Sequence, residues 1–389
     1  MGTKKMIKNT ELSTNIDPNN ITQYFTDKGF VLIQPNMVIP AETVVNHMGE
    51  DIRRRLLVAP SPDGKEYCLR PDFTLPLVLE RIKSNKLDTM KYVYDGFAFR
   101  FPTSREISRT CPEFRQIGIE DFGSKDSLGT DISVLKNTLN VLDEVNFRDY
   151  KLLLGDVSIF YSILDQIKTS ASYKDKIKRL FWRGSNDIIS NLNNNSHVVI
   201  NADKSILSKI KNRKDNSANK DLISSIAGFD KLNVFGGRNP EDIINNYIEK
   251  KEIIDNQEID KKIPSMLSEF LSITCPASLA LENLTSFAKS YNLDLEQQIE
   301  SLDRRFKLLN EYRPLLNGVV FQASLGRRIE YYTGLIFEIR SNTIEDLGPI
   351  AIGGRYDNFF TDLGSPIRVP AVGCSIYMDR LLMAGGNYV

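Results

Sequence analysis

Residues 370–382 read PAVGCSIYMDRLL, and the fold is decided by what this stretch must be. The apolar run 371–377 predicts a strand, and residues 379–384 begin a helix. Working outward, 319–323 and 331–340 are further strand-like runs. Far upstream, 92–101 (YVYDGFAFRF) and 113–122 (EFRQIGIEDF) are aromatic and β-branched runs separated by the polar loop 102–112. They predict two adjacent antiparallel strands. Strands clustered at both ends of the chain and helical spacing in its middle predict an α+β fold, an antiparallel sheet flanked by helices and interrupted by an insertion.

Helices are predicted over 20–29, where Gly29 ends the apolar spacing, and over 75–82. A third covers 130–142, its start marked by Gly129 and its apolar face by Ile132, Leu135 and Leu139. The most regular covers 293–309, with Leu295, Ile299, Leu302, Phe306 and Leu309 on one face. Asp63-Gly64 between two apolar runs signals a hairpin. After about residue 150 the texture changes, and the runs SNLNNNSH (190–197) and KNRKDNSANK (211–220) are almost without apolar residues. The expected layout is a mobile N-terminus over 1–19, a body built from 20–151 and 273–389, and an insertion over 152–272.

The chain has 389 residues, 41% of them hydrophobic, enough to bury a sizeable core. Fifty basic residues balance fifty acidic ones, so net charge supplies no field to draw the protein onto nucleic acid. Cys68, Cys111, Cys275 and Cys374 are far apart and only two histidines accompany them, which argues against a metal site or a disulfide framework. No apolar run approaches a membrane span, and the first residues lack the apolar core of a secretory signal. A cytoplasmic protein without cofactor or metal is expected. Phosphate loops, dinucleotide fingerprints, nucleophile elbows and HExxH are all missing from the sequence.

Four motifs occur in a fixed order: LRPDFT (69–74), Phe99-Arg100 followed by EFRQIGIE (113–120), RRIEYYTGLIFE (327–338) and GGRYD (353–357). With the closing 370–382 stretch they resemble the histidyl-tRNA synthetases of the class II superfamily over roughly residues 21–382, least well in the insertion. Only seven residues follow Leu382, so the expectation is a class II body with no anticodon-binding domain. Within that superfamily, GEDIRRR (49–55), PDGKEYCLRPDFTLP (62–76) and the early end are most similar to the regulatory-subunit family of ATP phosphoribosyltransferase. The resemblance implies a non-catalytic subunit in the first step of histidine biosynthesis. Its partner would be the short-form catalytic subunit, its assembly a homodimer within a hetero-oligomer, and its effector histidine.

The same resemblance supplies candidate site residues. A free amino acid presents an ammonium and a carboxylate, and histidine adds two ring nitrogens, so a site needs acceptors, a cation and a polar aromatic wall. By position in the motifs, Asp72, Thr74 and Gln116 would meet the α-ammonium, Glu120 and Tyr332 the imidazole with Tyr331 beside them, and Arg327 the carboxylate. Asp72 stands where the synthetase motif carries Glu, one methylene longer. The nucleotide half departs further. Arg100 and Arg380 stand at the positions of the phosphate-gripping arginines and Phe114 at that of the base-stacking aromatic, as vestigial nucleotide-binding candidates. Thr110 and Pro112, however, replace basic residues, and Arg328 and Glu330 replace a glycine and an aspartate.

Each candidate also has a plain structural reading. The alternation in EFRQIGIE suits any half-buried strand, and Tyr331 and Tyr332 suit strand packing. GGRYD suits a glycine turn, and Arg100, Arg327 and Arg380 suit buried ion pairs. Two other functional classes stay open, a histidine-activating enzyme forming an adenylate from ATP and a purely architectural oligomer.

Overall fold

The structure, a computed structural model, describes residues 16–48, 52–102, 111–182, 262–312, 318–326 and 330–385. Thr110, Arg327, Arg328 and the polar runs 190–197 and 211–220 lie outside the described residues. The chain divides into two compact units, 1–162 with 272–389, and 163–271. The first begins with α1 (Pro18–Asp27), β1 (Val31–Leu32), β2 (Val38–Pro40), α2 (Ala41–His47), β3 (Val58–Pro60), β4 (Glu66–Leu69) and α3 (Thr74–Lys83). β5 (Met90–Phe99), β6 (Glu113–Phe122), α4 (Ser127–Glu144) and β7 (Tyr150–Asp156) follow. Next, α5 (Val157–Gln166) leads out of this unit, α6 (Ala171–Trp182) lies in the second, and α7 (Lys262–Ser272) ends it. The first unit resumes with β8 (Thr274–Pro276), α8 (Ala277–Tyr291), α9 (Glu296–Tyr312), β9 (Val319–Gln322) and β10 (Leu335–Ser341). It closes with β11 (Ala351–Arg355), α10 (Phe359–Asp362), β12 (Ala371–Tyr377) and α11 (Met378–Ala384).

β5 and β6 pair antiparallel along their whole length, from Met90 opposite Phe122 to Phe99 opposite Glu113. They sit in a nine-stranded sheet of order β1-β5-β6-β12-β11-β10-β7-β9-β8, beside a three-stranded sheet β2-β4-β3. The large sheet is mixed, which corrects the expectation of an antiparallel one: β1 joins β5 and β9 joins β7 in parallel. Parallel neighbours need a long crossover, and both have one. In chain order the small sheet, α2 and α3 separate β1 from β5, and α5 to α9 with β8 separate β7 from β9.

Several boundaries move for local reasons. α4 begins at Ser127, before Gly129, because Asp126 caps it by accepting from the Gly129 N–H at 2.9 Å. The helix predicted over 293–309 runs from Glu296 to Tyr312 instead, since Asn292 adopts a left-handed conformation that ends α8. Leu295 stays buried from the connection. β10 starts at Leu335, so Tyr331 and Tyr332 precede the strand, and GGR of GGRYD is the strand β11, not a turn.

Side chains alternate across the sheet, which sets its two faces. Phe114, Gln116, Gly118 and Glu120 of β6 share one face with Gly373, Ser375 and Tyr377 of β12 through the pairings Glu120–Gly373, Gly118–Ser375 and Gln116–Tyr377. The other face meets α4, and α9 packs on α4. A buried ion cluster lies there. Both oxygens of Asp131 are held, Oδ1 by Arg355 Nε at 2.7 Å and Oδ2 by Arg305 Nε at 2.8 Å. Arg355 also donates to Asp357 at 2.8 Å. In the second unit, α7 buries Ile263, Met266, Leu267 and Phe270 along one face.

Candidate functional site

The N-terminus of α3 points at the face of the sheet where β6, β12 and β11 run side by side, and a cavity lies between them. Asp72 precedes the helix and accepts from the Leu75 N–H at 3.3 Å, a cap that also places a carboxylate at the positive end of the helix. Thr74, the first helical residue, donates to Glu120 Oε1 at 2.7 Å. The other oxygen of Glu120 accepts from the Tyr356 hydroxyl. Glu120 itself fits only because its cross-strand partner is Gly373, where a Cβ would overlap the carboxylate.

Six of the seven candidate histidine-site residues, Asp72, Thr74, Gln116, Glu120, Tyr331 and Tyr332, line this cavity, and the seventh, Arg327, lies outside the described residues. Arg100, Gly373, Cys374, Ser375, Tyr356 and Tyr377 complete most of the wall. The cavity measures about 40 Å³, room for a few water molecules. An amino acid therefore enters only if wall side chains move. Tyr331 is one of the wall residues, its ring 4.5 Å from Phe359 and 5.5 Å from Tyr356. It is not a strand residue, as one plain reading had it.

Burial sets the charge of the pocket. The Glu120 carboxyl is pushed up to about 8, chiefly by desolvation, with Asp72 adding to the rise and the hydrogen bonds from Tyr356 and Thr74 opposing it. Asp72 is raised to about 6, again by desolvation, with the Arg100 charge and two backbone N–H groups opposing. At neutral pH the two carboxyls together hold about one proton and one negative charge. Gln116 is 1% exposed and its Oε1 has no hydrogen-bond partner. A buried carbonyl left unmet beside a single carboxylate is an acceptor set for a cationic N–H donor.

The three nucleotide candidates gather around Tyr377, a wall residue of the cavity. Arg100 lies over the Phe114 ring at 4.9 Å and donates to the Tyr377 hydroxyl at 3.2 Å. Arg380 lies over Tyr377 at 4.4 Å and donates to the Pro349 carbonyl at 2.9 Å. Pro112 contributes its carbonyl to the Arg100 N–H at 2.8 Å, a backbone role without charge.

Sequence reasoning passed over Tyr356, Ser375 and Tyr377. The signals were there: Tyr356 is the fourth residue of GGRYD, and period-two counting from Gly373 reaches Ser375 and Tyr377. Ser375 meets the buried Tyr94 hydroxyl at 2.6 Å, and Tyr94 stacks on Phe73 at 4.3 Å, which braces the entry to α3. Among the described residues no cluster of His, Cys, Asp or Glu has the makings of a metal site, and no helix is long and apolar enough to cross a membrane.

Comparison with known proteins adds the following. The family described as histidyl-tRNA synthetase matches residues 18–232 and 245–381. A protein of Brucella anthropi named ATP phosphoribosyltransferase regulatory subunit is 28% identical over 369 residues, covering 92% of this chain and 93% of its own. One of the same name from Chelativorans sp. is 28% identical over 373 residues, covering 94% and 96%. Among solved structures, an ATP phosphoribosyltransferase regulatory subunit/histidyl-tRNA synthetase from Bacillus halodurans aligns with a TM-score of 0.63 at 18% identity over 94% of this chain and 77% of that one. A histidyl-tRNA synthetase from Nostoc sp. PCC 7120 aligns with a TM-score of 0.59 at 18% identity, covering 95% and 72%. These two likenesses speak to the fold, which is that of the class II synthetases.

Proposed function

The chain belongs to the histidyl-tRNA synthetase family, and from that premise we propose that it is the regulatory subunit of an ATP phosphoribosyltransferase, without catalytic activity of its own. The observation that carries this reading is the match, over more than nine-tenths of both sequences, to proteins named for that role. In the proposal the chain works with a short-form catalytic subunit in the first step of histidine biosynthesis. That subunit transfers a phosphoribosyl group from phosphoribosyl pyrophosphate to ATP and releases pyrophosphate. Histidine acts as the effector. Its coupling to activity requires that it bind the inhibited assembly more tightly than the active one.

The pocket chemistry supports an amino-acid ligand. Asp72 and the unmet Gln116 carbonyl offer acceptors to an α-ammonium, and Glu120 with Tyr332 offers a polar aromatic wall to an imidazole. Arg327 is assigned the carboxylate by its motif position. Binding displaces wall side chains, since the cavity as it stands takes only a few waters. The reading of an insertion, placed at 152–272 from the sequence, belongs to the same proposal: the chain leaves the sheet after β7, whose residues 152–156 still pair within it, and rejoins it at β8, two places away. So does the homodimer. Val31, Leu32, Val38, Val58, Phe97 and Phe101 are all exposed apolar residues of β1, the small sheet, β5 and the residues just after it, and apolar side chains left in water favour a protein partner where they cluster.

The test is to mix this chain with the short catalytic subunit and follow phosphoribosyl transfer with and without histidine. The expected result is a raised rate and stronger inhibition by histidine. An unchanged rate and unchanged histidine sensitivity would sink the reading. Glu120→Ala then asks whether this pocket is the sensor, and unaltered inhibition in a folded variant would exclude it. The competing reading, histidine adenylation, rests on the presence of Arg100, Arg327 and Arg380 in the sequence. Histidine-dependent exchange of pyrophosphate into ATP would support it.

A further inference from the structure

Two guanidinium groups and an aromatic face are the elements from which proteins build a nucleotide site, the cations for phosphate oxygens and the ring for a base. All three are present in Arg100, Phe114 and Arg380, which gather around a fourth residue, Tyr377, that lines the cavity together with Arg100. Tyr377 lies 5.8 Å from Phe114 at an interplanar angle of 31°. Arg380 covers its ring at 4.4 Å, and Arg100 reaches both its ring, at 5.8 Å, and its hydroxyl, at 3.2 Å. The phenol ring therefore takes up the space beside Phe114, its π face meeting both guanidinium groups and its hydroxyl accepting from Arg100.

Resting on the reading above, in which ATP is not activated by this chain, we propose that Tyr377 is an internal plug that excludes a purine nucleotide from the space between Arg100, Phe114 and Arg380. The ring is well placed to act as one. Tyr377 is the last residue of β12, opposite Gln116 in the register, and its backbone N–H is tied to the Ile350 carbonyl at 2.8 Å. It is 9% exposed, and it also lines the cavity that Asp72 and Glu120 share. Removing the ring joins that cavity to the space between the two guanidinium groups. The enlarged hollow has cations and an aromatic face on its walls and an acid-lined recess at its far end. Its chemistry then suits an adenosine phosphate, whereas the native chain offers the same groups already satisfied by each other.

The test is equilibrium binding of AMP and of magnesium ATP to the wild-type chain and to the Tyr377→Phe, Tyr377→Ala and Tyr377→Gly variants, with thermal melting to confirm folding. Wild type and the phenylalanine variant, which keeps the ring, are expected to show no saturable binding. The alanine and glycine variants are expected to bind both nucleotides at least about tenfold more tightly. Folded alanine and glycine variants that bind no better than wild type would overturn the proposal. So would a wild type that binds AMP and loses affinity on Tyr377→Ala, since the ring would then be a stacking partner. If neither small variant folds, a structure of the wild-type chain crystallised with AMP decides: a base stacked on Phe114 with Tyr377 unmoved overturns the plug, and a site still filled by Tyr377 supports it. Failure of the wild-type chain to affect the catalytic subunit would sink the functional reading and leave this one standing.

Discussion

Glu120→Gln should make the protein more stable, and by an amount that depends on pH in a defined way. Folding buries the Glu120 carboxyl and carries it from its ordinary 4.5 to about 8. Below pH 4.5 the group is protonated in both states and contributes nothing to the pH dependence. Between 4.5 and 8 the unfolded chain gives up the proton and the folded chain keeps it, so stability falls as pH rises. At about 1.36 kcal/mol per pH unit, the loss by pH 8 amounts to roughly 5 kcal/mol, a large share of the 5–15 kcal/mol that holds a typical domain together. Glutamine never ionises, and like the protonated acid it carries both a donor and an acceptor for the hydroxyls of Thr74 and Tyr356. The stability difference between variant and wild type should therefore be small near pH 5, climb through pH 6 and 7, and level off above pH 8. Urea unfolding followed by far-UV circular dichroism at a series of pH values measures it, and the difference cancels what the two proteins share away from this pair of carboxyls. A difference that stays flat from pH 5 to 9 would refute the reasoning. It would mean that Glu120 ionises in the fold as easily as in water.

Three further outcomes are expected. Asp131→Ala leaves Arg305 and Arg355 buried without the carboxylate that both hold, and should cost about 3–5 kcal/mol in urea unfolding. Gly373→Ala places a Cβ against the Glu120 carboxylate and 2.7 Å from the Ile119 carbonyl, an overpacking worth about 1–3 kcal/mol that the added Glu120→Ala change should partly relieve. Cys374 is buried with its thiol pushed up to about 12 by desolvation, whereas Cys111 is exposed. Iodoacetamide at neutral pH should accordingly label Cys111 and leave Cys374 untouched in the native protein, as read by peptide mass spectrometry.

Much of the architecture was legible in the order of residues because the forces involved are local or periodic. The β5–β6 pair and β12 announced themselves through aromatic and β-branched runs, and the hairpin between β3 and β4 through Asp63-Gly64, with Gly64 at a positive φ of 82°. Boundaries failed where a side chain outside the pattern took control, as Asp126 did at the head of α4 and Asn292 at the tail of α8. The parallel pairings of β1 and β9 escaped notice because a strand's direction in a sheet depends on the crossover that brings it back, and no residue within the strand records that.

The sequence by itself determined the residue types of the pocket and the order of their motifs, because these are carried by short stretches such as 69–74, 113–120 and 353–357. Only the tertiary structure decided what they do to one another. That Glu120 holds its proton follows from the desolvation that distant segments impose on it, which outweighs the opposing hydrogen bonds of Tyr356 and Thr74. That Arg100, Phe114 and Arg380 meet on Tyr377 follows from β6 and β12 lying side by side. Desolvation and stacking are properties of what surrounds a group, and those surroundings exist only once distant segments have packed.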